Sequence, residues 1–170
     1  MQLHTLIYDF KEQPNLGVFM SSLPLLLFSL FGLFVFYKNK KDLSQNIKNS
    51  KIGMAIGLFL SVFFGIFFTV YFTGNLAYYF EFVKIYDNKK YKIVEGRVSN
   101  YHPMQKGGHG DRESFNVNGI DFKFSDFDYT FGYNNATSKG GAIKENLFVR
   151  IYYFNNSDED GNVILRLEVE

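Results

Sequence analysis

Four side chains able to ligate a divalent cation or exchange a proton, His102, His109, Asp111 and Glu113, fall within twelve residues of a glycine-rich stretch. Imidazole nitrogen and carboxylate oxygen are acceptable ligands for zinc and related ions, so His102, His109 and Asp111 are candidate metal ligands and would make the chain a small metal-dependent enzyme. Their spacing matches no site of known mechanism, and Gly and Asn neighbours impose no geometry. A solvated loop between two strands is the stronger expectation.

A second candidate lies in the irregular stretch Asn134 to Asn146, where Tyr133, Asn134, Asn135, Thr137, Lys139, Gly140 and Gly141 are candidate ligand-binding residues. Successive backbone N–H groups in such a loop can cradle an anion, and long loops without periodicity are disproportionately functional. A plain surface loop is the competing reading. Ser157-Asp158-Glu159-Asp160-Gly161 suggests calcium, but Val169 stands where an EF-hand loop would end in glutamate, so a solvated acidic turn is expected. The chain has no cysteine, hence no disulfide, thiolate nucleophile or Cys-based metal site. No Walker sequence, nucleophile elbow or kinase signature is present, and no cofactor is specified.

The elements that must position these residues are dominated by two apolar runs. Ile52 to Thr73 carries no charge and is long enough, at ~1.5 Å per residue, to cross a ~30 Å hydrocarbon core. Leu16 to Tyr37 is a second such run, and Pro24 within it is expected to bend the helix by removing a hydrogen bond. Gly53, Gly57, Ser61 and Gly65 recur every fourth position and form a packing stripe, either for the first span or for a second copy of the chain. Neither run holds an ionisable residue, which argues against an ion pathway or proton relay. The loop 38–51 carries five lysines against Asp42, and the positive-inside rule keeps it in the cytoplasm. Both termini and the C-terminal domain are then extracytoplasmic, although Lys84, Lys89, Lys90 and Lys92 compete with that signal.

Residues 1–15 place Leu3, Leu6, Ile7 and Phe10 at helical spacing and read as an interfacial helix or a tail. Residues 16–74 form the transmembrane hairpin and 75–90 an aromatic, helical, interfacial linker. From 91 to 170 the pattern is β. Asn118-Gly119 between Phe115, Val117 and Ile120, Phe122, Phe124 predicts a type I′ hairpin, with Val117 opposite Ile120 and Phe115 opposite Phe122. Alternation in Leu147 to Tyr153 and in Val163 to Val169, with Tyr91 to Tyr101 as a first strand, brings the total to about five. Phe127, Tyr129, Phe131 and Tyr133 alternate out of phase with that hairpin and suggest a bulge. The expected fold is membrane α+β: a two-helix hairpin and a small barrel or rolled sheet, possibly OB-like. The soluble part is close to neutral and lacks the basic footprint of a nucleic-acid binder.

The motifs Val94-Glu95-Gly96-Arg97-Val98, His102-Pro103-Met104, Glu113-Ser114-Phe115-Asn116-Val117, Ser125-Asp126-Phe127, Gly132-Tyr133-Asn134-Asn135 and Gly140-Gly141-Ala142-Ile143 occur in that order. Together they resemble a group of small uncharacterised bacterial membrane proteins, with Ala142 where that pattern has proline. The resemblance implies a recurring bacterial module and carries over no catalytic residue. The function expected is a non-enzymatic β-module anchored in the inner membrane of a bacterium, binding a ligand or a membrane or extracytoplasmic protein. Metal-dependent catalysis is the alternative, and a cytoplasmic β-domain would instead fit a nucleotide-sensing effector.

Overall fold

The computed structural model describes residues 5–42, 47–104, 111–156 and 161–170. The chain divides into two compact units: Leu16–Phe80, which is helical, and Met1–Asn15 with Glu81–Glu170, which is built on a sheet. Six strands, β1 (Thr5–Asp9), β2 (Lys92–His102), β3 (Glu113–Val117), β4 (Ile120–Phe124), β5 (Phe148–Asn156) and β6 (Gly161–Val169), make one open sheet in the order β1-β6-β5-β2-β3-β4. Every pairing is antiparallel.

The β3–β4 hairpin forms in the expected register, Val117 opposite Ile120 and Phe115 opposite Phe122. Asn118 at φ 48° and Gly119 at φ 84° supply the two left-handed positions of a type I′ turn, whose twist matches that of the strands. Phe115, Val117, Phe122 and Phe124 are buried, with the Phe115 and Phe122 rings stacked at 5.2 Å. Val98, Val149, Ile151, Leu165 and Leu167 complete that face, each worth ~1.5–3 kcal/mol of burial.

The described part of the N-terminal segment, residues 5–15, does not form the interfacial helix or tail expected of 1–15. Thr5–Asp9 is a strand paired with β6, because Tyr8 and Phe10 alternate inward and find a core: Tyr8 is 8% and Phe10 1% exposed. The Tyr8 hydroxyl donates to the Phe131 carbonyl at 2.5 Å. This extra strand also explains why the expected barrel, OB-like or otherwise, does not close. β1 takes the flank of β6 that β4 would need, and the Phe10 and Tyr133 N–H groups fill the next carbonyls, Leu165 and Ile164, both at 2.9 Å. Where β4 approaches the start of β6, Asn162 Nδ2 donates to the Asp121 carbonyl at 2.8 Å in place of a strand ladder.

Across the opposite face runs a row of alternating charge. Glu95 pairs with Arg150 at 2.8 Å, Arg150 lies 4.0 Å from Glu168, Glu168 is 2.6 Å from Arg166, and Arg166 is 3.3 Å from Asp9. These residues sit on β2, β5, β6 and β1, so each pair bridges neighbouring strands or adjacent positions. Asp9, 3% exposed, also accepts from the Tyr86 hydroxyl at 2.7 Å and the Lys11 N–H at 2.9 Å. Beside this row Phe82 packs against Phe10, Phe131 and Phe154 at 5.1–5.8 Å.

In the helical unit the first span is broken ahead of Pro24 and not at it. α1 (Gly17–Met20) ends at Ser21 and Ser22, whose hydroxyls bond the Val18 and Phe19 carbonyls at 2.6 Å, and α2 (Leu23–Lys41) begins with Pro24 in its first turn. There a missing N–H costs nothing. α3 (Ile47–Asp87) absorbs both the expected second span and the linker into one helix of 41 residues, about 60 Å at ~1.5 Å per residue.

The small-residue stripe of α3 faces α2. A Cβ at Gly57 would lie 2.5 Å from the Phe36 nitrogen and 2.8 Å from the Gly32 carbonyl oxygen, a separation open only to glycine. One turn along, Gly32 approaches Ser61, the Ser29 hydroxyl donates to the Ser61 carbonyl at 3.0 Å, and Gly65 borders Ser29. Gly53 abuts the Asn39 side chain. Further on, Phe28 stacks on Phe64 at 5.1 Å and Phe19 meets Phe72 at 5.8 Å.

Candidate functional site

The stretch from Ser125 to Leu147 leaves the sheet and contains no strand, only a short 3₁₀ turn at Thr137–Lys139. The aromatic alternation in its first part marks neither strand nor bulge. Phe131 and Tyr133 turn into the core, whereas Phe127 and Tyr129 stay exposed. Two carboxylates of the same chain organise the rest. Asp126 accepts from the Ala136 N–H at 2.7 Å and the Ser138 hydroxyl at 2.8 Å, with Lys139 Nζ at 3.6 Å. Glu113 accepts from the Thr137 N–H at 2.7 Å.

Glu113 reaches this position because β3 alternates Glu113, Phe115 and Val117 onto the core face, leaving the carboxyl 0% exposed. Burial pushes its pKa up, while hydrogen bonds from the Thr137 N–H and hydroxyl pull the other way. The Tyr101 and Thr137 hydroxyls are hydrogen-bonded beside it. Glu113 is thus a core clamp and not a member of a solvent-facing ligand set.

The anion-cradle reading of this loop is answered from within. The N–H groups of Ala136 and Thr137 go to Asp126 and Glu113, and those of Lys139, Gly140 and Gly141 go to the Ala136 and Thr137 carbonyls at 2.9–3.0 Å. Thr137, Lys139, Gly140 and Gly141 therefore build the loop and line neither cleft described below. Gly141 must be glycine, since a Cβ there would collide with the Asn135 carbonyl and sit 2.7 Å from Ala136 C. That contact fixes where Asn135 stands.

Two clefts open on either side of Tyr133, which lines both. One, of about 210 Å³, is walled by Arg112, Lys123, Asp128, Thr130 and Asn162, with Arg112 Nη2 held 2.9 Å from Asp128. The other, of about 190 Å³, joins Tyr133, Asn134 and Asn135 to Ile7, Tyr8, Gln13 and Asn15. Burial pushes the Tyr133 phenol up to about 12, helped by the nearby Glu113 charge and opposed by the Ala142 N–H, which bonds its oxygen at 3.3 Å. Gln13 and Asn15 were not apparent as site residues, because only the pairing of β1 with β6 brings them there. The period-two spacing of Tyr8 and Phe10 was the available signal.

Of the metal candidates, His102 Nε2 lies 3.7 Å from Asp111 Oδ1. His109 and the acidic turn at 157–160 lie outside the described residues. Among the described residues no group of three or more His, Cys, Asp or Glu is placed to hold a metal ion. Comparison with protein-family models, with curated proteins and with solved structures finds no match for this chain.

Proposed function

We propose that the chain is a bacterial inner-membrane protein whose helical hairpin anchors an extracytoplasmic β-domain, and that this domain binds a ligand or partner protein without catalysing a reaction. The observation that carries the reading is the exposure of the helices. Both are long and apolar enough to cross a membrane, yet only 17% and 6% of their most apolar windows are buried. A core helix of a soluble protein would bury most of that window. Leu27, Phe34, Phe59 and Val70 are each more than 60% exposed, a surface that suits lipid.

Sheet topology supports the same anchor. β1 precedes the helices and β6 follows them, yet the two pair, so the chain must leave and re-enter one side of the bilayer. Two crossings satisfy that parity. The Lys-rich loop favours the cytoplasm for the connection, and the two clefts provide places for a ligand.

With no native cysteine, single thiols report topology directly. The protein should stay with the membrane in alkaline carbonate. Lys144→Cys should react with an impermeant maleimide in intact spheroplasts and Lys41→Cys only after lysis. Release by carbonate would overturn the anchor, and reversed labelling would overturn the orientation in favour of a cytoplasmic sensor. The 3.7 Å approach of His102 to Asp111 favours a second reading, a metal-dependent enzyme completed by His109. Stoichiometric metal in protein purified without chelators, lost on His102→Ala, would establish that reading.

A further inference from the structure

We propose that the cleft between the turn after β1 and the Asn134-Asn135 segment binds a neutral polyhydroxylated ligand, in chemical class an oligosaccharide. The proposal rests on the reading of the β-domain as a binding module and names what it binds. Its first support is the chemistry of the walls. Of the seven residues that line the cleft, four carry carboxamides, Gln13, Asn15, Asn134 and Asn135, and none carries a charge. A carboxamide offers two donors and one acceptor with two lone pairs. Sugar hydroxyls, each donor and acceptor at once, match that pattern. A phosphate or carboxylate would find no cation in the cleft, and an apolar ligand would strand the amides without partners at a cost.

The second support is a division of labour, with two of these amides held by the domain and the other two turned to solvent. Asn15 Nδ2 donates to the Thr130 carbonyl at 3.1 Å and Asn134 Nδ2 to the Asp128 carbonyl at 3.0 Å, which orients both side chains. The backbone of Gln13 is set by its own N–H, bonded to the Asp9 carbonyl at 2.8 Å, and that of Asn135 by its contact with Gly141. The Gln13 and Asn135 carboxamides are solvent-exposed and engage no other side chain among the described residues. Beneath them the almost wholly buried Tyr8 and Tyr133 rings meet edge to face at 5.6 Å and close the bottom of the cleft. At about 190 Å³ the cleft is below the ~300–1,000 Å³ of a pocket for a drug-sized ligand, so it takes one sugar-sized unit of a chain that continues into solvent.

The test uses full-length protein in detergent, with saturation-transfer NMR and calorimetry against chitotriose, maltotriose and cellotriose as neutral probes and trigalacturonate as the anionic one. At least one neutral trisaccharide should bind. Gln13→Ala and Asn135→Ala should each weaken it about tenfold, the worth of one or two hydrogen bonds, while Lys123→Ala in the neighbouring cleft leaves it unchanged. The proposal is overturned if no neutral probe binds at millimolar concentration, if trigalacturonate binds more tightly, or if binding ignores both amide variants. Carbonate extraction of the membranes from which each protein is purified reads the anchor separately, so loss of the ligand class and loss of the membrane reading are distinguishable.

Discussion

Replacing Gly57 by alanine adds one methyl group where the structure leaves no room for it. The new Cβ would stand 2.5 Å from the Phe36 nitrogen and 2.8 Å from the Gly32 carbonyl oxygen, both backbone atoms that no rotamer change can move. Restoring ordinary contact requires α2 and α3 to part by about 1 Å, and overpacking of this kind costs ~1–3 kcal/mol. Separation also stretches the Ser29–Ser61 hydrogen bond, now 3.0 Å, worth ~1 kcal/mol. Helix propensity offsets up to ~1 kcal/mol, since alanine is the better helix former. The net expectation is a loss of about 1–3 kcal/mol. Gly74 lies in the same helix with nothing within 4 Å of its Cβ position, so Gly74→Ala keeps the propensity gain without the collision. The two substitutions should therefore move stability in opposite directions. Detergent-solubilised protein titrated with SDS, followed by far-UV circular dichroism, measures both on one scale. If Gly57→Ala is as stable as Gly74→Ala, close backbone packing is not what holds the hairpin.

Glu113 titrates in the sense that weakens the fold with rising pH: its folded carboxyl binds the proton more tightly than the unfolded one, so stability is lost as pH climbs from ~4.3 through the raised folded value. Glu113→Gln keeps an oxygen for the Thr137 N–H and should flatten that part of a thermal-stability profile, whereas an unchanged slope would assign the pH dependence elsewhere. Asp9→Ala strips a buried acceptor from Tyr86, Lys11 and Arg166 and should cost about 3 kcal/mol by chemical denaturation. Lys11→Ala, which removes an exposed pair with Asp87 and a cation–π contact with Tyr86, should cost about 1 kcal/mol, and equal losses would refute the distinction. Gly119→Ala forces an L-residue to φ 84° in the β3–β4 turn, and the expected ~1–2 kcal/mol would appear as a fall in Tm of several degrees. An undiminished Tm would mean that the turn relaxes to another type.

What could be read from residue order was what short-range rules govern. Asn118-Gly119 announced its turn and register, the period-two runs announced β2 to β6, and the fourfold spacing from Gly53 to Gly65 announced a helix contact whose partner proved to be Gly32 and Ser29. Contacts between distant segments were less legible. Leu6, Ile7 and Phe10 fit a helix as well as a strand, and the flank of β6 decides for the strand. Glu113 beside two histidines looks like a metal ligand until its register on β3 sends it inward. The Asn134 to Asn146 loop offers N–H groups, but the anions that take them, Asp126 and Glu113, lie outside it.

The pairing of β1 with β6 also has a consequence for biogenesis. Asp9 and Arg166, bonded across that pair, are 157 residues apart in the chain. At the ~5–20 residues per second of translation, the first strand waits roughly 8–30 s for its partner, with both hydrophobic helices emerging in between. Throughout that interval Tyr8 and Phe10 have no core to enter, and β6 arrives as an edge until β1 docks. Completion of the sheet is thus a late event that follows synthesis of both helices. Until then the cell holds an unfinished sheet as well as two exposed apolar helices, and both are features that chaperones and proteases recognise.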